Sequence, residues 1–135
     1  MRKIAVCGSR TFPLNPGIGA QIVDTLKGLD GVILTRGSGP FEKFVAVAAI
    51  ALGIRCFEFK GGNGRDALDR DDELVAACDE MVAFLSPEAL EAGPTMYGTP
   101  GLMERAAVAG KPVRAATVVN GSLIWQSSDR IKEAS

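Results

Sequence analysis

Lys3-Ile4-Ala5-Val6-Cys7 constrains this chain more than any other stretch, because it offers no polar face. A strand apolar on both sides fits a parallel sheet covered by helices on both faces. It delivers a small, polar, basic turn, Gly8-Ser9-Arg10. In open α/β sheets, ligands bind beyond the carboxyl ends of the strands, where the strand order reverses. Gly8, Ser9 and Arg10 therefore stand as the floor of a candidate site, with an ordinary βα turn and a surface arginine as the alternative reading.

The rest of the chain repeats the pattern. Asn15-Pro16 reads as an N-cap and first helical residue, followed by Ile18, Ile22, Val23 and Leu26 at helical spacing. Val32-Ile33-Leu34 is a short buried strand. It runs into a second glycine-rich turn, Gly37-Ser38-Gly39, which feeds a helix from about Pro40. Such a turn can hold an anion on helix N–H groups, or can need glycine only for its backbone angles. Ile54–Phe59 is expected as a third strand at a sheet edge, and Asp66–Ala77 as a third helix. Met81–Leu85 is a second fully apolar strand, with a long loop expected over Ser86–Tyr97. Thr99 then reads as an N-cap with Pro100 at the first helical position, and Gly110 and Pro112 end that helix. A fifth strand starts at Pro112. Asn120-Gly121 marks a hairpin over 117–125.

Together these predict an α/β, Rossmann-like, doubly wound parallel sheet of order 3-2-1-4-5 with a C-terminal β-hairpin. One domain is expected over 1–126, followed by a flexible tail at 127–135. The single tryptophan, Trp125, is expected to be largely buried, in the domain or in a homo-oligomer.

Composition narrows the chemistry. The 135 residues include no histidine, which excludes Ser-His-Asp and Cys-His catalysis and histidine-ligated zinc. Acid–base work falls to carboxylates, Tyr97, lysines or cysteines. Cys7, Cys56 and Cys78 lack metal-ligand spacing, so neither a metal nor a cofactor is expected. An odd cysteine count with no visible targeting segment reads as reduced thiols in a cytoplasmic protein. A net charge of −1 argues against a nucleic-acid-binding face, and no stretch is long and apolar enough for a membrane span.

Val6-Cys7-Gly8-Ser9-Arg10 resembles the opening of the SLOG superfamily of Rossmann-like nucleotide binders. That group includes the lonely guy phosphoribohydrolases, often labelled lysine decarboxylase-like, and the DNA-processing protein DprA. Gly98-Thr99 with Met103, Ala106, Ala109-Gly110 and Pro112-Val113 is similar to the end of the family's P-G-G-x-G-T motif and its helix. Leu68-Asp69-Arg70-Asp71 is similar to the segment that carries the phosphoribohydrolases' catalytic arginine. The resemblance covers about Lys3 to Val113 and is nearest to small bacterial and phage members. It implies Arg70 as the catalytic candidate, and Gly8, Ser9, Arg10, Gly37, Ser38, Gly39, Asp71, Gly98 and Thr99 as nucleotide-binding candidates. Two departures stand out: the P-G-G is replaced by Ser86-Pro87 and a longer loop, and Leu102 occupies the position of the family glutamate.

Three functions follow as expectations. The first is binding of a nucleotide or ADP-ribose-like ligand, as sensor, carrier or sequestering protein. The second is hydrolysis of the N-glycosidic bond of a nucleoside monophosphate, with Glu91, Asp71 or Glu104 as the carboxylate. The third is an interaction module with a relic site. Leu102 favours binding over catalysis. A homodimer or higher homo-oligomer is the expected assembly.

Overall fold

The computed structural model describes residues 1–37, 39–60, 65–93, 95 and 98–126. The chain alternates strands and helices: β1 (Lys3–Gly8), α1 (Pro16–Lys27), β2 (Val32–Thr35), α2 (Pro40–Ala51), β3 (Cys56–Glu58), α3 (Arg65–Ala77), β4 (Glu80–Phe84), α4 (Pro87–Ala92), α5 (Gly98–Val108), β5 (Val113–Val119) and β6 (Ser122–Trp125). The six strands form one sheet of order β3-β2-β1-β4-β5-β6. β1 to β5 pair in parallel, while β5 and β6 are antiparallel. The architecture is compatible with a Rossmann-like fold. It differs from the expected order 3-2-1-4-5 in carrying the second hairpin strand as a sixth member of the sheet.

Side-chain alternation explains why β1 has no polar face. Ile4 and Val6 enter a core built with Ile18, Ile22 and Leu26 of α1 and Phe41 and Val45 of α2. Ala5 and Cys7 enter a second core with Leu74 of α3 and Leu102, Met103 and Ala106 of α5. Successive strand residues point to opposite faces, so a central strand with both faces covered must be apolar throughout. β1 pairs with β2 on one side and β4 on the other, which places the reversal of strand order between β1 and β4.

Three local expectations are corrected. The segment after β4 is not all loop: Ser86 caps a short α4, its side chain accepting from Ala89 N at 3.2 Å, with Pro87 in the first turn. β3 is shorter than the expected span 54–59, although it occupies the sheet edge as expected. Trp125 is 41% exposed rather than buried within the domain. Its ring packs edge-on against Phe84 at 5.9 Å, with the Arg114 guanidinium 5.1 Å from its centroid. A four-residue edge strand has only one neighbour to cover it. The expected tail at 127–135 lies outside the described residues.

Candidate functional site

At the carboxyl edge of the sheet, the ends of β1 and β4 are tied together. Ser9 N donates to Phe84 O at 2.9 Å, and Ser86 N donates to Ser9 Oγ at 3.2 Å. Ser9 and Ser86 are both buried. Gly8 belongs to this junction for a packing reason: a Cβ there would overlap the Phe41 ring, which sits against Phe12 and Phe84. The ring lies where a side chain would point, so glycine here admits an aromatic core rather than a ligand.

Above the junction lies a buried charge network that the sequence reading did not single out. Arg36 follows β2, and Glu42 lies in the first turn of α2; both are almost fully buried. Arg36 Nε and Nη2 donate to Glu42 Oε2 at 2.9 and 2.6 Å, and Arg36 N donates to Oε1 at 2.7 Å. Gly8 N donates to Oε2 at 3.5 Å. Nη2 also reaches Thr99 Oγ1 at 3.0 Å and Gly8 O at 3.4 Å. One ion pair thus joins the turns after β1 and β2 to the starts of α2 and α5. Burial is the largest influence and works against the Arg36 charge, but the charge and hydrogen bond of Glu42, with smaller contributions from Cys7 and Asp71, together outweigh it and raise the pKa. Arg36 is a permanent cation, and its Nη1 has no partner among the described residues.

This network forms one wall of a cavity of about 380 Å³. Gly8, Ser9, Arg10, Gly98 and Thr99 line it, joined by Arg36, Ser86 and Glu88. The volume lies within the range of small-molecule sites. Arg10 is exposed, rests over Gly39, and has no hydrogen-bond or ion-pair partner among the described residues. Gly98 opens α5 at φ +73°, and among the described residues only Pro100 lies near the place a Cβ would take. The backbone angle, not crowding, calls for glycine there. Thr99 lies inside the first turn of α5 instead of capping it, and its buried hydroxyl accepts from Arg36.

Other expected residues lie elsewhere. Gly37 and Gly39 shape the turn into α2 with φ of +65° and +96°, but neither lines the cavity. Ser38 and Tyr97 lie outside the described residues. Arg70 pairs with its neighbour in sequence, Asp71. Its Nε and Nη2 donate to Asp71 Oδ1 at 3.1 and 2.9 Å, and the buried pair is not among the cavity's lining residues. Glu104 lines a groove between α3 and α5, while Glu91 lies between α4 and the hairpin. Leu102 is 0% exposed within the second core, so the position at which the resemblance would call for a glutamate packs into the interior. Cys7 is fully buried beneath the site, and desolvation pushes its thiol well above the usual range, leaving it an inert neutral group. No cluster of three His, Cys, Asp or Glu among the described residues is placed to hold a metal.

One sequence signal points to the missed pair. Glu42 falls on the stripe of α2 that carries Val45 and Ala49, three and seven residues on, where an acid must be neutralised. No protein-family model, curated protein or solved structure matches the chain, so a functional reading rests on this geometry.

Proposed function

We propose that the cavity binds a nucleotide or nucleotide-derived ligand, such as an ADP-ribose-like molecule, in the manner of a SLOG-type sensor, carrier or sequestering protein. The observation that carries this reading is Arg36: a buried guanidinium in the cavity wall, fixed by Glu42 and Thr99, with Nη1 unpaired among the described residues. Glu42 offsets the formal charge of Arg36, so Arg10 supplies the countercharge for a phosphate. The first N–H groups of α5, apart from the one Pro100 lacks, add partial positive charge on the same side. Planar guanidinium donors suit phosphate oxygens. The hydroxyls of Ser9 and Ser86 stand ready only in part, since each already accepts a backbone N–H.

One observation favours the hydrolase as a second reading. Glu88 is an exposed carboxylate in the cavity wall, where an oxocarbenium-like centre could be stabilised. The carboxylates considered from the sequence line other surfaces or, in Asp71, are already paired.

Thermal-shift and calorimetric titration with AMP, ADP, ADP-ribose and inorganic phosphate tests the binding reading. A nucleotide that binds the native state raises the melting temperature. Arg10→Ala should weaken the best ligand by roughly tenfold or more, the loss of one charge-assisted hydrogen bond, without disturbing the fold. Gly98→Val should weaken it strongly, because a β-branched residue is strained at that backbone angle. Nucleotides without effect on melting, or affinity unchanged in both variants, overturn the proposal. Release of free base, abolished in Glu88→Gln, selects the hydrolase.

A further inference from the structure

From Phe44 onward α2 is apolar around its whole circumference, yet it lies on the surface. Residues 44–52, Phe-Val-Ala-Val-Ala-Ala-Ile-Ala-Leu, contain no polar side chain. One face packs into the core through Phe41, Val45, Ala48 and Ala49. The opposite face leaves Val47 68% and Ile50 74% exposed, with Ala51 beside them. A helix hydrophobic all round belongs in an interior. Beside it, Leu14, Asn15, Pro16, Gly19, Val23 and Phe44 line a groove of about 330 Å³ between α1 and α2.

We propose that this face pairs two copies of the chain, with their α2 helices antiparallel about a two-fold axis beside Val47. A two-fold interface needs one patch that complements itself, and the register here does so. With Val47 on the axis, Ile50 of one copy lies opposite Phe44 of the other, where the groove receives it. Lys43, the single charged residue on the outer face of α2, lies opposite Ala51, the last residue of the other helix. A lysine is favoured beside the carbonyl end of a helix. The two Lys43 side chains stay at opposite ends, roughly 12 Å apart along the axis at 1.5 Å per residue. Ala46 and Ala51 are small enough for close approach of the backbones. A membrane surface is a poor occupant, because anionic lipid attracts clusters of basic residues and this face offers one lysine.

Light scattering coupled to size exclusion is the first test, at micromolar concentration. The expected mass is twice the 14.1 kDa of the chain. Val47→Glu should raise the dimer dissociation constant by roughly 100-fold or more, since it buries an unpaired charge on the axis. Its circular dichroism should stay that of the parent, because Val47 is exposed in the single chain. Ile50→Lys should act likewise. Val47→Cys, being on the axis, should cross-link to itself on oxidation, whereas Glu73→Cys, exposed on α3, should not. A monomeric parent protein overturns the proposal, and points to another protein as occupant. A dimer that survives both charge variants, or cross-linking equal at positions 47 and 73, overturns it too.

Discussion

Two buried arginine–carboxylate pairs among the described residues differ in what they connect. Arg36 and Glu42 stand on either side of the turn from β2 into α2, with side chains 3% and 0% exposed. The Glu42 carboxylate takes the guanidinium and two backbone N–H groups, Arg36 N and Gly8 N. Arg70 and Asp71 are neighbours on α3, where adjacent side chains do not face each other. Arg70 must fold back along its own helix to reach one oxygen of Asp71. Similar chemistry therefore serves two ends. The first pair holds four segments in register at the mouth of a cavity. The second neutralises two charges within one helix.

The largest effect expected from this difference is in Glu42→Ala. It strands a buried guanidinium and two backbone donors, and should cost about 3–5 kcal/mol in urea unfolding. An equal loss in Asp71→Ala breaks the comparison.

Replacing both partners sharpens it. Arg36→Met with Glu42→Leu still leaves Arg36 N and Gly8 N without their acceptor, at about 1–3 kcal/mol for each buried group. Arg70→Met with Asp71→Leu removes both charges and orphans no backbone group seen to bond them. It should stay within about 1 kcal/mol of the parent. The same denaturation curves decide both.

Arg70→Ala alone comes next, at about 1.5–3 kcal/mol for a lost charge-assisted hydrogen bond. It should leave nucleotide affinity unchanged, because Arg70 does not line the cavity. A tenfold loss of affinity in calorimetry reinstates Arg70 as a site residue.

The smallest effect belongs to a carboxylate at the opposite edge of the sheet. Asp79 accepts from Lys3 N at 2.8 Å, and this hydrogen bond holds its pKa below the ordinary 3.8. A depressed folded-state pKa contributes stability above the unfolded value, and the contribution is lost as pH falls through the folded one. Asp79→Asn should flatten stability against pH only below about pH 4. Stability that falls equally in parent and variant over that range removes Asp79 from the account.

The α/β class and most of the elements were legible in the sequence because they follow from periodicity. Short uninterrupted apolar runs mark β1 and β4, and Ile18, Ile22 and Leu26 mark the buried stripe of α1. α4 was missed although Ser86-Pro87 is a cap followed by proline, because six residues are too few to show a period. Of the site, Gly8, Ser9, Arg10, Gly98 and Thr99 could be grouped because they lie at the end of β1, just after it, or at the start of α5, all at the carboxyl edge of the sheet.

By itself, then, the sequence determined which segments are buried and where the turns fall, since burial is written in local patterns of apolar residues. Which charges meet was decided by tertiary structure alone. Arg36 and Thr99 are 63 residues apart, and Glu42 reaches back to Gly8 across 34. A buried charge persists only where folding supplies its partner, and nothing local to Arg36 names Thr99 as that partner. Gly8 makes the same point: its own residues suggest a ligand's approach, and the Phe41 ring of α2 supplies the reason instead.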